Sequence, residues 1–120
     1  MQIRVYYEDT DVGGVVYYAN YLKFCERARS ELFFQKGLSP HSDDEFFVVK
    51  EVHANYAKSA VFGDLLDVNS KLTIKKAASI IMEQKIYRDE ELLFEATFKL
   101  AYLKNYKLCK IPKELFDVFE

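Results

Sequence analysis

The chain has 120 residues, of which 50% are hydrophobic and 30% are charged, and this composition is typical of one folded domain covering residues 1–120. The 17 basic and 19 acidic side chains are mixed along the sequence, so charge gives no reason to expect nucleic acid as a partner. The sequence contains no apolar run long enough for a transmembrane segment and nothing that resembles a signal peptide. We therefore expect a cytoplasmic protein whose two cysteines are reduced.

The N-terminal third is predicted to contain a strand, a loop and the one long helix of the chain. Apolar and polar residues alternate over 2–8, which predicts a short strand. Acidic residues and glycines dominate 9–16, a composition typical of a loop. Apolar residues then recur at helical spacing from Tyr18 to about Gln35, and Gly37 follows as a helix stop signal.

The rest of the chain favours strands, because four stretches each have one apolar face at a period of two. These faces consist of Val48, Val52, Ala54 and Tyr56; of Leu66, Val68, Leu72 and Ile74; of Ile80, Met82 and Ile86; and of Leu92, Phe94, Ala96, Phe98, Leu100 and Tyr102. After them, Pro112 can start a short C-terminal helix that runs to Glu120.

The predicted order is strand, long helix and four strands, which indicates an α+β fold. Because each strand has a single apolar face, we expect a curved antiparallel sheet of five strands that wraps the long central helix. Its long, regular edge strands would be a liability in a monomer, so we also expect dimerisation by pairing of strand edges.

The segment EDTDVGG, residues 8–14, places three carboxylates and two glycines directly ahead of the predicted helix. An aspartate in such a loop is commonly a cap or a turn residue. Asp11 lies several residues before the helix start, too far for a simple cap, whereas Asp9 fits a turn-forming role. Asp11 can therefore be either a turn residue or a carboxylate that takes part in a reaction.

The longer segment YYEDTDVGGVVYYANYLKFCERARSEL closely resembles the signature of the 4-hydroxybenzoyl-CoA thioesterase-like hotdog family. Within this family, the segment is most similar to the branch of the YbgC-type acyl-CoA thioesterases, which are associated with the Tol-Pal system of bacteria. YAKSAVFGDLLDV, residues 56–68, resembles the second sequence block of this family. The resemblance implies the hotdog fold, acyl-CoA as substrate, no cofactor, and a homodimer that commonly pairs into a homotetramer.

The resemblance also implies roles for three residues of the first segment. Asp11 matches the catalytic carboxylate, which acts as general base or as nucleophile. Gly14 and Tyr18 match the turn and the helix start, where backbone N–H groups form an oxyanion hole that faces the thioester carbonyl. Many family members have histidine at the position of Tyr18; a side-chain role of that histidine is absent here, while a backbone role is unaffected.

Four further residues are candidates for substrate binding. Core packing is the favoured interpretation of Tyr17 and Tyr21, and lining of an acyl channel is the alternative. Lys58 and Ser59 fall in the second block, which resembles the part of the family that helps to form the site of the neighbouring subunit.

Two other functions compete with thioester hydrolysis. A module that binds acyl-CoA or acyl carrier protein without hydrolysis is the main alternative, because the carrier protein's phosphopantetheine arm bears the same thioester. A hydratase needs a histidine paired with an acid in its site and is disfavoured, since neither His41 nor His53 sits in such a motif. The two histidines are isolated from each other, which predicts no metal site.

Overall fold

The structure is a computed structural model that describes every residue from Met1 to Glu120. Its strands are β1 (Gln2–Arg4), β2 (Glu45–Tyr56), β3 (Leu65–Lys75), β4 (Ser79–Arg88), β5 (Glu91–Lys104) and β6 (Lys107–Leu108). Its helices are α1 (Asn20–Phe34) and α2 (Lys113–Phe116), and the chain closes with a 3-10 turn over Asp117–Phe119. Neither helix has the length and the apolar character that a membrane crossing requires.

Five strands form one antiparallel sheet in the order β1-β3-β4-β5-β2, which matches the predicted five-stranded sheet. The sixth strand, β6, was not predicted and pairs with the end of β5 across a tight turn, where Asn105 and Tyr106 have φ values of 52° and 62°. At the other side of the sheet, the 12-residue β2 pairs with no other strand than β5, and its outer edge is free apart from one bridge between Phe46 and His41.

The helix α1 packs on the concave face of this sheet. Its buried residues, including Phe24, Cys25 and Ala28, face the apolar sides of β4 and β5, and the Tyr21 ring stacks on Phe94 with 5.1 Å between centroids. The core is formed by the predicted strand faces, since Ile80, Met82, Ile86, Phe94, Ala96, Phe98, Leu100 and Tyr102 are all buried. The predicted α+β hotdog fold is therefore confirmed.

Two predictions at the N-terminal side are wrong in their boundaries. The strand predicted over 2–8 ends at Arg4, because Tyr7–Asp9 turns away from the sheet as a short 3-10 turn. The helix begins at Asn20 and not at Tyr18, so Tyr18 lies in the turn just before the helix.

The predicted apolar face of β2 is wrong at Val48. The pairing of β2 with β5 shifts by one residue after Val49, so Val49 lies opposite buried Leu100 and Val52 lies opposite buried Phe98. Such a bulge reverses the alternation of side chains along the strand. Val48 consequently lies on the other face of the sheet from Val52.

A second bulge has the same effect in β3. Its pairing with β4 shifts between Leu72 and Ile74, and Ile74 is 47% exposed although it was predicted to share the apolar face of Leu72.

Candidate active site

The segment before the helix folds into a narrow hairpin. The Asp11 N–H donates to the Val15 carbonyl at 2.9 Å, and the Tyr17 N–H donates to the Asp9 carbonyl at 2.9 Å. At its tip the Gly14 N–H donates to the Asp11 carbonyl at 3.0 Å, with Gly14 at φ +80°, in the left-handed region that favours glycine. Gly14 thus shapes the turn, and its N–H is occupied within the loop.

The Asp11 carboxylate is exposed and has one occupied and one free oxygen. Its Oδ1 accepts a hydrogen bond of 2.8 Å from the Gly13 N–H, which is the turn role that sequence analysis weighed against a reactive role. Its Oδ2 makes no hydrogen bond or ion pair within the chain. A Cβ on Gly13 would come to 3.2 Å from Asp11 Oδ1, so a side chain there would crowd the carboxylate. Both roles are compatible, because the turn uses one oxygen only.

Asp9 has a structural role, as predicted. It is 8% exposed, and its Oδ2 accepts the Tyr6 N–H at 2.9 Å. Its carbonyl accepts both the Tyr17 N–H and, at 2.8 Å, the side-chain amide of Asn20. Asn20 is buried at the first position of α1 and was missed by sequence analysis. These bonds fix the hairpin to the helix start.

The helix start offers a free backbone donor at Tyr18, whose N–H has no acceptor within the chain. The Tyr17 carbonyl accepts the Asn20 N–H at 2.8 Å and therefore points toward the helix. Because C=O and N–H are antiparallel in a trans peptide, the Tyr18 N–H points away from the helix.

The charge at this end of α1 is also favourable for an anion. The positive end of the helix dipole lies here, and no acidic residue occupies the first turn of the 15-residue helix. A developing oxyanion beside the Tyr18 N–H would therefore be stabilised by the dipole.

The two candidate tyrosines lie in different surroundings. Tyr17 is 46% exposed, and its ring lies 4.9 Å from that of Tyr18. The neighbouring Tyr18 side chain is the main cause of the raised pKa of Tyr17, with smaller effects from burial and from the negative charge of Asp11.

Tyr21, in contrast, belongs to the core. It is 3% exposed, and its hydroxyl accepts the Ala60 N–H at 3.0 Å. Burial is the main cause of its raised pKa. Of the alternatives weighed for Tyr21, core packing is the one that this geometry favours.

The predicted second block lies directly beside the hairpin in the same chain, because the Val16 N–H donates to the Ala60 carbonyl at 2.9 Å. Lys58 is exposed and forms an ion pair of 2.6 Å with Glu91. Ser59 is exposed and its hydroxyl makes no hydrogen bond within the chain. Both remain accessible from solvent at the edge of the site.

Arg88 anchors this second block and was missed by sequence analysis. Its guanidinium bonds Asp64 and Glu91, each at 2.7 Å. The hydrogen bond to Glu91, followed by that to Asp64, raises the pKa of Arg88. Asp64 in turn accepts the Val61 N–H at 2.9 Å, so one ion-pair network holds residues 61–64 against β4 and β5.

The site is open on one side and its rim is apolar. Large exposed side chains surround the hairpin, among them Tyr7 at 81%, Tyr18 at 61% and Phe62 at 64% exposure. Cavities of about 170 to 440 Å³ occur elsewhere in the chain, and neither Asp11 nor Tyr18 lines any of them. No three His, Cys, Asp or Glu side chains are grouped closely enough to hold a metal ion. In a single chain the polar groups for chemistry therefore lie at an exposed surface.

Comparison with known proteins places the chain in a family. The family model of the thioesterase superfamily matches residues 13–95. The acyl-CoA thioesterase YbgC of Haemophilus influenzae is 42% identical over 98% of this chain and 90% of its own length. The acyl-CoA thioesterase YbgC of Helicobacter pylori is 42% identical over 72% of this chain, but the match spans only 65% of that relative's length.

A solved structure agrees with these sequence matches. The crystal structure named "Probable Thioesterase from Bartonella henselae" is 33% identical, covers 93% of this chain and 97% of its own, and superposes with a TM-score of 0.89. Family, sequence relatives and fold are thus consistent with the motif DTDVGGVVY around Asp11. The chain belongs to the thioesterase superfamily.

Proposed function

We propose that the protein is an acyl-CoA thioesterase, which hydrolyses an acyl-CoA to the free acid and CoA. One observation carries the proposal: a carboxylate with a free oxygen, at Asp11, occurs on the same hairpin that leads to a free, outward-pointing N–H at Tyr18. Thioester hydrolysis needs these two groups, one to deliver a nucleophile and one to stabilise an oxyanion. The names of the YbgC relatives support the same activity.

In the proposed mechanism the thioester carbonyl oxygen faces the Tyr18 N–H. As general base, Asp11 takes a proton from water, and the resulting hydroxide adds to the carbonyl carbon. As nucleophile, Asp11 attacks that carbon itself and forms a mixed anhydride, which water then hydrolyses. In both routes the tetrahedral oxyanion collapses and expels the CoA thiolate. One oxyanion-hole donor is worth about 2.7–4 kcal/mol in related acyl-transfer chemistry.

The test is CoA release from short, long and aromatic acyl-CoAs by wild type, Asp11→Asn and Glu8→Gln. Asparagine can keep the hydrogen bond to Gly13, so the turn is retained while the basic, nucleophilic oxygen is lost. We expect kcat to fall by about 10²–10⁴-fold in Asp11→Asn, the range typical of a lost general base. Glu8 is an exposed carboxylate in the same segment, and Glu8→Gln is the matched control that keeps wild-type activity.

Two results would contradict the proposal. Undiminished CoA release by folded Asp11→Asn would remove this residue from the chemistry. Tight binding of acyl-CoA or acylated carrier protein by wild type, without any turnover, would favour the alternative, a non-hydrolytic binding module. Turnover of acyl carrier protein thioesters alone would change the carrier but keep the hydrolytic mechanism.

A homodimer is part of the proposal. The free edge of the 12-residue β2 and its exposed Val49 and Val52, at 46% and 38%, support strand pairing between two copies. A second copy would also supply the missing wall of the open site, since bound ligands are mostly enclosed. The homotetramer, the cytoplasmic location and the participation of Lys58 and Ser59 in the partner's site stay predictions. Sedimentation analysis of the purified chain would test the dimer, which a monomer at micromolar concentration would contradict.

A further inference from the structure

Tyr56, the last residue of β2, bonds to the backbone at the helix start. Its hydroxyl donates to the Tyr18 carbonyl at 3.0 Å, across 38 residues of sequence. Its ring meets three other aromatic rings at centroid distances of 6.3 Å for Tyr18, 5.5 Å for Tyr21 and 5.0 Å for Phe94. The ring is 44% exposed and packs at the edge of the core through these contacts, and the hydroxyl lies beside the site.

This hydrogen bond determines the orientation of one peptide plane. The Tyr18 carbonyl and the Ala19 N–H belong to the same trans peptide and point in opposite directions. The Tyr18 carbonyl accepts no other hydrogen bond in the chain, and the Ala19 N–H, like the Tyr18 N–H, donates none. Without the Tyr56 hydroxyl, no other hydrogen bond would prevent this plane from rotating.

The neighbouring peptide is fixed independently, because the Tyr17 carbonyl accepts the Asn20 N–H at 2.8 Å. Tyr18 therefore lies between two peptide planes, one held by the helix and one held by Tyr56. Both planes must be fixed if two adjacent free N–H groups are to face one oxyanion, since donor placement matters at the scale of about 1 Å.

We propose that Tyr56 is a positioning residue for the oxyanion hole, which holds the Tyr18–Ala19 peptide plane through its hydroxyl. This inference rests on the proposed thioesterase function and adds the Ala19 N–H as a second donor. A positioning role predicts an effect on the transition state and hardly any on binding of the substrate, because the thioester carbonyl becomes an oxyanion only during the reaction.

The experiment compares wild type, Tyr56→Phe and Tyr106→Phe. Phenylalanine keeps the ring contacts of Tyr56 and removes only the hydroxyl. Tyr106, which is 80% exposed in the turn between β5 and β6, donates no side-chain hydrogen bond and serves as the matched control. We expect kcat to fall about 10-fold to 100-fold in Tyr56→Phe while KM and the melting temperature stay near wild type, and no change in Tyr106→Phe.

A second readout does not depend on activity. In NMR spectra of the labelled protein, Tyr56→Phe should shift the carbonyl ¹³C resonance of Tyr18 and the amide ¹⁵N resonance of Ala19, since both atoms belong to the peptide that loses its hydrogen bond. Tyr106→Phe should leave both resonances in place.

Four outcomes are informative. Unchanged kcat in Tyr56→Phe would overturn the inference, and so would a raised KM at unchanged kcat, which would make the hydroxyl a substrate contact. Unshifted Tyr18 and Ala19 resonances would overturn it whatever the kinetics. If wild type releases no CoA, the proposed function fails separately, and the NMR shifts still decide whether Tyr56 holds this peptide.

Discussion

Replacing Gln84 by methionine is expected to destabilise the fold by an amount that follows from its three hydrogen bonds. Gln84 is fully buried between the sheet and α1. Its Oε1 accepts a bond of 2.7 Å from the Arg29 guanidinium, and its Nε2 donates to the Cys25 carbonyl and to Ser70 Oγ, both at 2.9 Å. Methionine has a similar length and no polar atom that could replace the amide.

The largest part of the cost comes from Arg29. Its guanidinium lies 4.4 Å over the Phe98 ring, forms no ion pair, and has Gln84 as its only side-chain acceptor. Burial lowers the pKa of Arg29, which means that the charged form is already poorly solvated. Loss of a hydrogen bond to a charged group costs about 1.5–3 kcal/mol. Ser70 is only partly buried, so water can replace its bond. Gln84→Met should therefore cost about 2–3 kcal/mol.

Urea unfolding at one fixed protein concentration would measure this cost, since a dimer makes apparent stability concentration-dependent. The matched variants are Arg29→Met and the double variant Arg29→Met/Gln84→Met. Because the double variant leaves no buried charge without a partner, its cost should be at least about 1 kcal/mol below the sum of the single costs. A neutral Gln84→Met, or strictly additive costs, would refute the argument that Gln84 stabilises a desolvated charge.

Further predictions concern Cys25 and Gly14. Burial raises the pKa of the Cys25 thiol to about 12, so iodoacetamide should label the partly exposed Cys109 in the native protein and Cys25 only after unfolding, as mass spectrometry would detect. Above the ordinary thiol pKa of 9.0, unfolded chains release a proton that folded chains retain, so the free energy of unfolding should fall as pH rises from about 9 toward 12. Urea unfolding across this range should show a smaller fall in Cys25→Ala, and an identical fall would contradict the assignment. Gly14→Ala should lower the free energy of unfolding by about 1–2 kcal/mol because of backbone strain at φ +80°. A Cβ at this position meets no atom within 4 Å, so no steric clash adds to the cost. Thermal unfolding would measure the effect, and an unchanged melting temperature would contradict the prediction.

The strands and the helix could be predicted from sequence because their patterns are local. Period-two alternation marks a strand whatever its partner is, and the faces of β4 and of β5 from Phe94 onward were predicted correctly. Leu92 was predicted wrongly, because a bulge pairs it with Tyr87 on the other face of the sheet and leaves Leu93 in the core. The faces of β2 and β3 were predicted correctly on one side of their bulges only, after Val49 in β2 and up to Leu72 in β3, since a bulge is specified by pairing with another strand. Gln84 continues the apolar period of β4 but is polar, so the pattern alone did not identify it as a core residue.

The site could be predicted only in part, for a related reason. The motif around Asp11 is contiguous, and its turn geometry is formed by bonds between residues no more than eight positions apart. Asn20, Tyr56 and Arg88 support the site through bonds to Asp9, Tyr18 and Asp64 that span 11, 38 and 24 residues. No local pattern distinguishes such a tyrosine from one that fills the core, and Tyr21 could be assigned to the core only from the fold.

The position of Tyr18 explains how the chain could perform the proposed reaction with tyrosine where the family resemblance implies histidine in many members. In the proposed mechanism Tyr18 contributes its backbone N–H, which is directed by the carbonyl bonds on either side and not by its own side chain. The side chain is 61% exposed and packs against Tyr17 and Tyr56. A tyrosine ring can therefore replace a histidine without moving the donor, and the Tyr56 hydroxyl would fix the same peptide in either case. In the proposed mechanism only the backbone of residue 18 takes part, so the surrounding residues must preserve the backbone conformation at this position.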